Sequence, residues 1–404
     1  MHEQCFCLQQ FQLTACRCKV CGFTDSMISS LVKYSKAFYR YFKIDVPLFI
    51  LVIILAAFGL LILYSSSGGS IDQVYRQLTR FGVAAVVMIV VSQIPPLYIN
   101  RAAPTLIAIG IFLLILVLLF GSSGGGAQRW LNLGFIKFQP SEMMKIIVPI
   151  SIASILSEGA LPPRAILTLI SLAVIMVVVA LIAMQPDLGT SLLIGASGVY
   201  VLFFSGVNIH LVKNAWLNLG LLLGILGGSL YVAWNYLLIP YQQERILTLF
   251  KPESDPLGSG YHIMQSKIAI GSGGLTGKGL NKGSQSQLDF VPESSTDFIF
   301  SVLAEETGFI GVLFLLFIYL LVIYRCMDLS MRCEDNFSRL LGASLTFIYF
   351  TYVFVNIGMV SGLLPVVGVP LPLISYGGSS LITLMTSIGI IMSIYKHKTP
   401  RYLK

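Results

Sequence analysis

Ten stretches of this chain are apolar enough, and long enough, to cross a lipid bilayer. A helical span takes about 20 such residues. Candidates lie near 46–66, 79–96, 102–120, 140–158, 164–184, 188–206, 214–238, 297–324, 338–361 and 373–395. In hydrocarbon every backbone polar group needs an internal partner, so runs of this length fold as helices. The expected fold is an all-α polytopic membrane protein with about ten transmembrane helices. Only 11% of residues are charged and mean hydropathy is +0.84, well away from soluble domains, in which about a quarter are charged. No cleavable signal peptide is expected, because the first strong apolar run is of full span length and lacks a small-residue cleavage site.

Charge placement gives an orientation. Lys33, Lys36, Arg40 and Lys43 precede the first span, and Lys396, Lys398, Arg401 and Lys404 follow the last. Arg101, Arg164, Lys213, Arg325, Arg332 and Arg339 fall in alternate loops. By the positive-inside rule these share the cytoplasmic side with both termini. The net charge of +8 is then an insertion signal and not a mark of nucleic-acid binding. The expected layout is a cytoplasmic tail over 1–44, a membrane domain over 45–395 and a second tail over 396–404. A large extracytoplasmic loop, 239–296, separates helices seven and eight.

Cysteines fit that layout. Cys326 and Cys333 sit in an expected cytoplasmic loop, and Cys5, Cys7, Cys16, Cys18 and Cys21 in the leader. None falls in an external loop, so disulfides are not expected. The leader spacing matches common zinc frameworks poorly. Residues 1–26 read as an unstructured leader or an upstream start, with Met27 beginning the working protein.

The polar segment from Tyr241 to Thr296 interrupts the apolar pattern and runs into Asp297-Phe298-Ile299-Phe300. A carboxylate at a membrane boundary is a functional candidate by default. Against that stands a plain reading: Ser295 or Thr296 caps the next helix and Asp297 complements its dipole from the first turn. Glu142 and Asp187, after Gln139-Pro140-Ser141 and Gln185-Pro186, read equally well as first-turn acids. All three face the same outer side. Glu305 and Glu306 lie deeper in the eighth span, where they need partners, and Lys145 is the expected one. Arg129, Lys137, Lys145, Arg245 and Lys267 are candidate clamps for an anionic group, with Trp130 beside Arg129 as an interfacial anchor. Glycines from Gly258 to Gly283 read as flexible linker or as backbone close to a polar substrate. Gly362 to Gly378, apolar yet rich in Gly and Pro, reads as a packed or re-entrant external loop. No P-loop, HExxH or serine-elbow motif is present.

Several long motifs, in order, carry a resemblance. These are Asp255-Pro256-Leu257-Gly258-Ser259-Gly260-Tyr261-His262, Gln265-Ser266-Lys267 through Gly274, and Pro292-Glu293 with Thr296-Asp297-Phe298-Ile299-Phe300. The segments Gly126 to Glu142, Gln185 to Thr190 and Asn356 to Ser379 add to them. From about residue 45 to 395 the chain resembles the SEDS family (shape, elongation, division and sporulation). Gly-Met-Val-Ser-Gly at 358–362 and Val-Gly-Val-Pro-Leu-Pro at 367–372 look like its rod-shape branch and not its division branch.

The resemblance implies a peptidoglycan glycosyltransferase of the bacterial inner membrane. It would polymerise lipid II on the outer face for cell elongation, with the essential aspartate falling on Asp297. It further implies a class B penicillin-binding protein and other elongation-complex proteins as partners. The chemistry expected is inverting transfer: Asp297 as general base, undecaprenyl pyrophosphate as leaving group, cations on the pyrophosphate, and Mg²⁺ or a similar divalent ion as a possible cofactor held in part by Asp297. Two other classes stay open at this point. A lipid II flippase would use the same ten spans, and a recruitment scaffold would leave Asp297 dispensable.

Overall fold

The computed structural model describes residues 44–397 apart from 125–126, 133–136, 208–216, most positions between 218 and 239, 252–254, 256–257 and 288–292. The cysteine-rich leader, the basic residues before Ile44, Lys213 and the charges beyond His397 lie outside the described residues. So does most of the expected seventh span.

Helix α1 (Val46–Ser66) begins under an Asp45 cap that accepts from Leu48 N, with Pro47 in its first turn. Helices α2 (Ile71–Ser92) and α3 (Pro96–Phe120) follow. Three short strands come next: β1 (Ser122–Gly124), β2 (Ala127–Asn132) and β3 (Lys137–Phe138), antiparallel in the order β1-β2-β3. Then come α4 (Pro140–Ser157), α5 (Ala165–Ala183) and α6 (Leu188–Phe204). The large loop contributes α7 (Pro240–Phe250), α8 (Ser259–Ser272) and α9 (Ser284–Gln287). The last three long helices are α10 (Ile299–Met331), α11 (Asn336–Val360) and α12 (Ser379–Lys396). Among the described residues, eight helices are long and apolar enough to span a membrane, and α6 is a shorter apolar one. The chain is an all-α polytopic membrane protein, with one small sheet inserted between α3 and α4.

The bundle has a core and a lipid-facing shell. Helices α4, α11 and α12 are mostly buried, while α2, α3 and α5 expose most of their apolar side chains. Between helices in lipid the attraction is packing, and small residues let backbones close in. Gly389 on α12 approaches the α2 backbone so closely that a β-carbon there would stand 2.6 Å from the Met88 carbonyl oxygen. Gly59 on α1 bears in the same way on Leu373 of the 362–378 segment.

Hydrogen bonds identify the two ends. At one end Arg325 pairs with Asp45 (2.7 Å) and Asp328 (3.0 Å), and Lys396 donates to Gln93. At the other, Ser65 donates to Glu306, and Gln77 donates to the Ser375 carbonyl.

Helix α10 is broken. Gly308 has φ 67° and ψ −168°, outside the helical region. The glycine-rich stretch after α8 threads into the break. Lys278 N donates to Glu305 O and Gly279 N to Glu306 O, while Phe309 N and Ile310 N donate to Gly274 O and Leu275 O. The interruption therefore leaves no orphaned backbone at these positions, as a lipid environment demands. Gly277 (φ +78°) sits where a β-carbon would come 2.1 Å from the Glu306 carbonyl. Gly273 and Gly277 are required for contact with α10, which departs from the linker reading at these two positions.

The break also corrects the expected pairing of the two glutamates. Lys145 does not reach them. Glu305, 0% exposed, pairs with Lys278 at 2.7 Å and accepts from Gln285 N at 3.1 Å. Glu306, 1% exposed, accepts from Ser65 of α1. Helical spacing carried no information about a loop cation folding back into the bundle.

Candidate active site

A cavity of about 690 Å³ opens at the Ser65 end of the bundle. Asp297 lines it, and the local chain explains how. The expected helix start at Ser295 or Thr296 does not form, because those residues are engaged elsewhere. Tyr376 N donates to Ser295 O (2.9 Å) and Ser375 Oγ to Thr296 O (2.7 Å). Asn356 Nδ2 holds Asp297 O at 2.9 Å and Val369 O at 2.7 Å. Residues 293–298 become a run of turns, and the helix begins at Ile299. Asp297 stands two residues before the helix, its backbone clamped to the 362–378 segment through Asn356, and that segment is packed and irregular as expected.

Electrostatics at Asp297 favour a proton. Burial and then the neighbouring Glu293 carboxylate push its pKa up to about 6, against the opposing pull of Arg245. A carboxyl tuned towards neutrality is suited to proton transfer.

Most of the sequence candidates converge on this cavity. Lys145 lies 2.6 Å from Glu142, both on α4, with the ammonium 5.0 Å from the Tyr352 ring centroid. Pro140 opens α4 and Glu142 sits in its first turn, as the sequence suggested. Asp187 caps α6 by accepting from Thr190 N, one position earlier than expected, and lies 3.5 Å from Arg129 Nε. Arg129 also donates to Pro186 O. The sheet delivers Arg129 and Trp130 together. Its register slips between Ser122 and Ser123, so Arg129 occupies a bulge opposite them, and a bulge re-aims side chains that a regular strand would send to opposite faces. Arg245 on α7 donates to Val366 O at 2.9 Å.

Lys267, Glu305 and Glu306 stand elsewhere, and the side chain of Lys137 is not among the described residues. Lys267 is exposed on α8, its side chain against Gly362, and does not line the cavity. Glu305 and Glu306 belong to the α10 break. Lys137 pairs through its backbone with Asn132. Glu293, Thr190 and Tyr352 line the cavity although sequence reasoning did not select them as site residues. Glu293 had a signal, standing four residues before Asp297 inside a quoted motif. Among the described residues no group of three or more His, Cys, Asp or Glu side chains is arranged to hold a metal ion.

Comparison with known proteins settles the family. The profile described as Cell cycle protein, FTSW_RODA_SPOVE, matches residues 46–400. The chain belongs to that family. It is 47% identical over 363 residues to peptidoglycan glycosyltransferase MrdB of Escherichia coli (strain K12), covering 90% of this chain and 96% of that one. To stage V sporulation protein E of Bacillus subtilis (strain 168) it is 32% identical over 374 residues, 87% and 97% of the two chains. Two solved structures share the family fold. A chain from "Structural coordination of polymerization and crosslinking by a peptidoglycan synthase complex" superposes with a TM-score of 0.75 at 30% identity, over 89% of this chain and 99% of that one. The crystal structure of the rod shape determining protein RodA of Thermus thermophilus gives 0.67 at 27%, over 89% and 99%.

Proposed function

We propose that this protein is a peptidoglycan glycosyltransferase of the bacterial inner membrane, extending glycan strands from lipid II on the extracytoplasmic face. The single observation that carries the reading is Asp297: a carboxyl raised to about 6, on a backbone held at Asp297 O by Asn356 and at Thr296 O by Ser375, in a cavity that also holds Arg129, Lys145 and Arg245. The 47% identity to a peptidoglycan glycosyltransferase over nearly its full length supports it.

In this mechanism Asp297 takes the proton of the acceptor sugar's 4-hydroxyl as that oxygen attacks the donor's anomeric carbon. The carbon–oxygen bond to pyrophosphate breaks, and undecaprenyl pyrophosphate leaves with the electron pair. One displacement inverts the configuration, so no covalent nucleophile is needed. The positioned base contributes about 10²–10⁴-fold. Arg129, Lys145 and Arg245 offset charge on the leaving pyrophosphate. A metal held by protein alone does not suit this donor set. Asp297 and Glu293 would be the residues to hold a Mg²⁺ together with substrate, since this ion favours one or two carboxylates in company with phosphate. When bound, it would neutralise phosphate charge.

The polar cavity lies at the Asp297 end, and the opposite end carries the Arg325–Asp45 and Arg325–Asp328 pairs. That arrangement favours transfer over transport. The basic end is assigned to the cytoplasm by the positive-inside rule. A class B penicillin-binding protein is the proposed partner, in keeping with the polymerisation and crosslinking complex named above.

The test is lipid II polymerisation by the purified protein with its crosslinking-deficient partner, comparing wild type with Asp297→Asn. Glycan chains from wild type and none from the amide, at equal folding and partner binding, are expected. Equal chains from both would remove Asp297 from the mechanism.

A further inference from the structure

Asp297 stands between two chambers. Behind it, a smaller cavity of about 300 Å³ shares Asp297, Glu293 and Arg245 with the main one and adds Glu244, Asp255 and His262. The two differ in charge. In the main chamber four carboxylates face three cations, Arg129, Lys145 and Arg245, whereas in the smaller one four carboxylates face one guanidinium. A pyrophosphate is repelled from such a place, while sugar hydroxyls find acceptors there. The volume is at the lower limit of roughly 300–1,000 Å³ for small-molecule pockets, the scale of a single sugar residue.

His262 is the residue in this chamber without an assigned task. Its ring stacks on Phe298, next in sequence to Asp297, at 5.6 Å between centroids and 25° between planes. Its Nδ1 is buried without a hydrogen-bond partner among the described residues. A buried unsatisfied ring nitrogen is rare and calls for an explanation. Burial holds the imidazole below its usual pKa, against the pull of Glu293 and Asp255. The neutral ring offers one donor and one acceptor.

We propose that this smaller chamber seats the terminal, uncharged sugar of the acceptor strand, and that His262 is a positioning residue that orients it so that its 4-hydroxyl meets Asp297. The proposal rests on the glycosyltransferase reading above and adds a division of labour: pyrophosphate-bearing donor on the side that holds Arg129 and Lys145, acceptor sugar on the more acidic side.

The experiment separates the two substrates. A lipid II whose terminal 4-hydroxyl is inverted can act only as donor. A soluble disaccharide glycoside with the normal 4-hydroxyl and no pyrophosphate can act only as acceptor. The full chain with its partner is assayed for single transfer while each is varied in turn. For His262→Ala the acceptor KM is expected to rise at least tenfold, with kcat and donor KM within twofold, and His262→Gln to recover most of the loss through its amide. An unchanged acceptor KM, or an equal loss in both KM values, overturns the subsite while leaving the polymerase intact. Failure of folded, partner-bound wild type to join the pair overturns the underlying reading and the subsite with it. Independently of any variant, site-resolved carbethoxylation of His262 in wild type is expected to slow with the acceptor glycoside and not with the donor. Equal protection by both, or by neither, counts against the assignment.

Discussion

Gly368 leaves the face of Asp297 open: a β-carbon on Gly368 would stand 3.4 Å from Asp297 Oδ2. Gly368 lines both chambers, and its φ of +69° is one that L side chains adopt only at a cost of about 1–2 kcal/mol. The Gly-Val-Pro run of the 362–378 segment thus keeps a working space clear beside the carboxylate.

Gly368→Ala combines strain with a methyl group in that space. Polymerisation is expected to fall more than tenfold while stability falls by about 1–2 kcal/mol. Glycan gels and thermal unfolding of the same preparation check it. Wild-type chain lengths with the alanine would show that the face is not used.

The pH dependence follows from Asp297. As a base it must be ionised, so kcat is expected to rise as pH increases through about 6 and then level off. Stability moves the other way. A carboxyl whose folded pKa lies above its ordinary 3.8 favours folding while protonated, and that contribution is lost as pH rises through about 6. Asp297→Asn is therefore expected to be inactive yet more stable than wild type at pH 8, by about 1–3 kcal/mol. The gap should narrow as pH falls below 6 in thermal unfolding scans. A gap that stays constant from pH 8 to pH 4 would rule out this electrostatic account.

The Glu142–Lys145 pair is buried, with Lys145 only 4% exposed. Removing one partner strands the other charge, at a cost of about 3–5 kcal/mol. Lys145→Met alone is expected to destabilise the protein strongly, and Glu142→Gln with Lys145→Met to recover much of that loss without recovering activity. A double-mutant cycle by unfolding and polymerisation assays separates the two roles. Additive stability losses would show that the pair is not coupled.

Gly277→Ala drives a methyl group into the Glu306 carbonyl at the α10 break. The expected result is loss of folded protein in detergent, measured by monodisperse yield, whereas the same change at Gly271, where a β-carbon meets nothing, is harmless. Equal yields would mean that the threaded loop is dispensable.

Much of this architecture was readable before any coordinates. Apolar length marked α1 to its ends and α4 to within a residue, because burial in lipid writes itself into composition. The meeting of Glu142, Asp187 and Asp297 at one end followed from counting spans. What was hidden depends on tertiary contact. Ser295 and Thr296 have good capping side chains, yet Tyr376 and Ser375, about eighty positions away, claim their carbonyls. Lys278 finds Glu305 only because α10 breaks at Gly308, and apolar periodicity runs through that glycine undisturbed. The small sheet escaped notice for a related reason. Its strands are too short for an alternating pattern, and a bulge sets the direction of Arg129.

The break at Gly308 divides α10 into a short outer stub that carries Asp297 at its head and a long inner rod. The 273–279 strap bonds both sides of the break, at Glu305 O and Glu306 O in the stub and at Phe309 N and Ile310 N in the rod, and Tyr319 of the rod donates to Pro372 O of the 362–378 segment. Gly308 is therefore a splinted joint and not a free hinge. The seat of the carboxylate is thereby set by the loop as much as by the span that follows it.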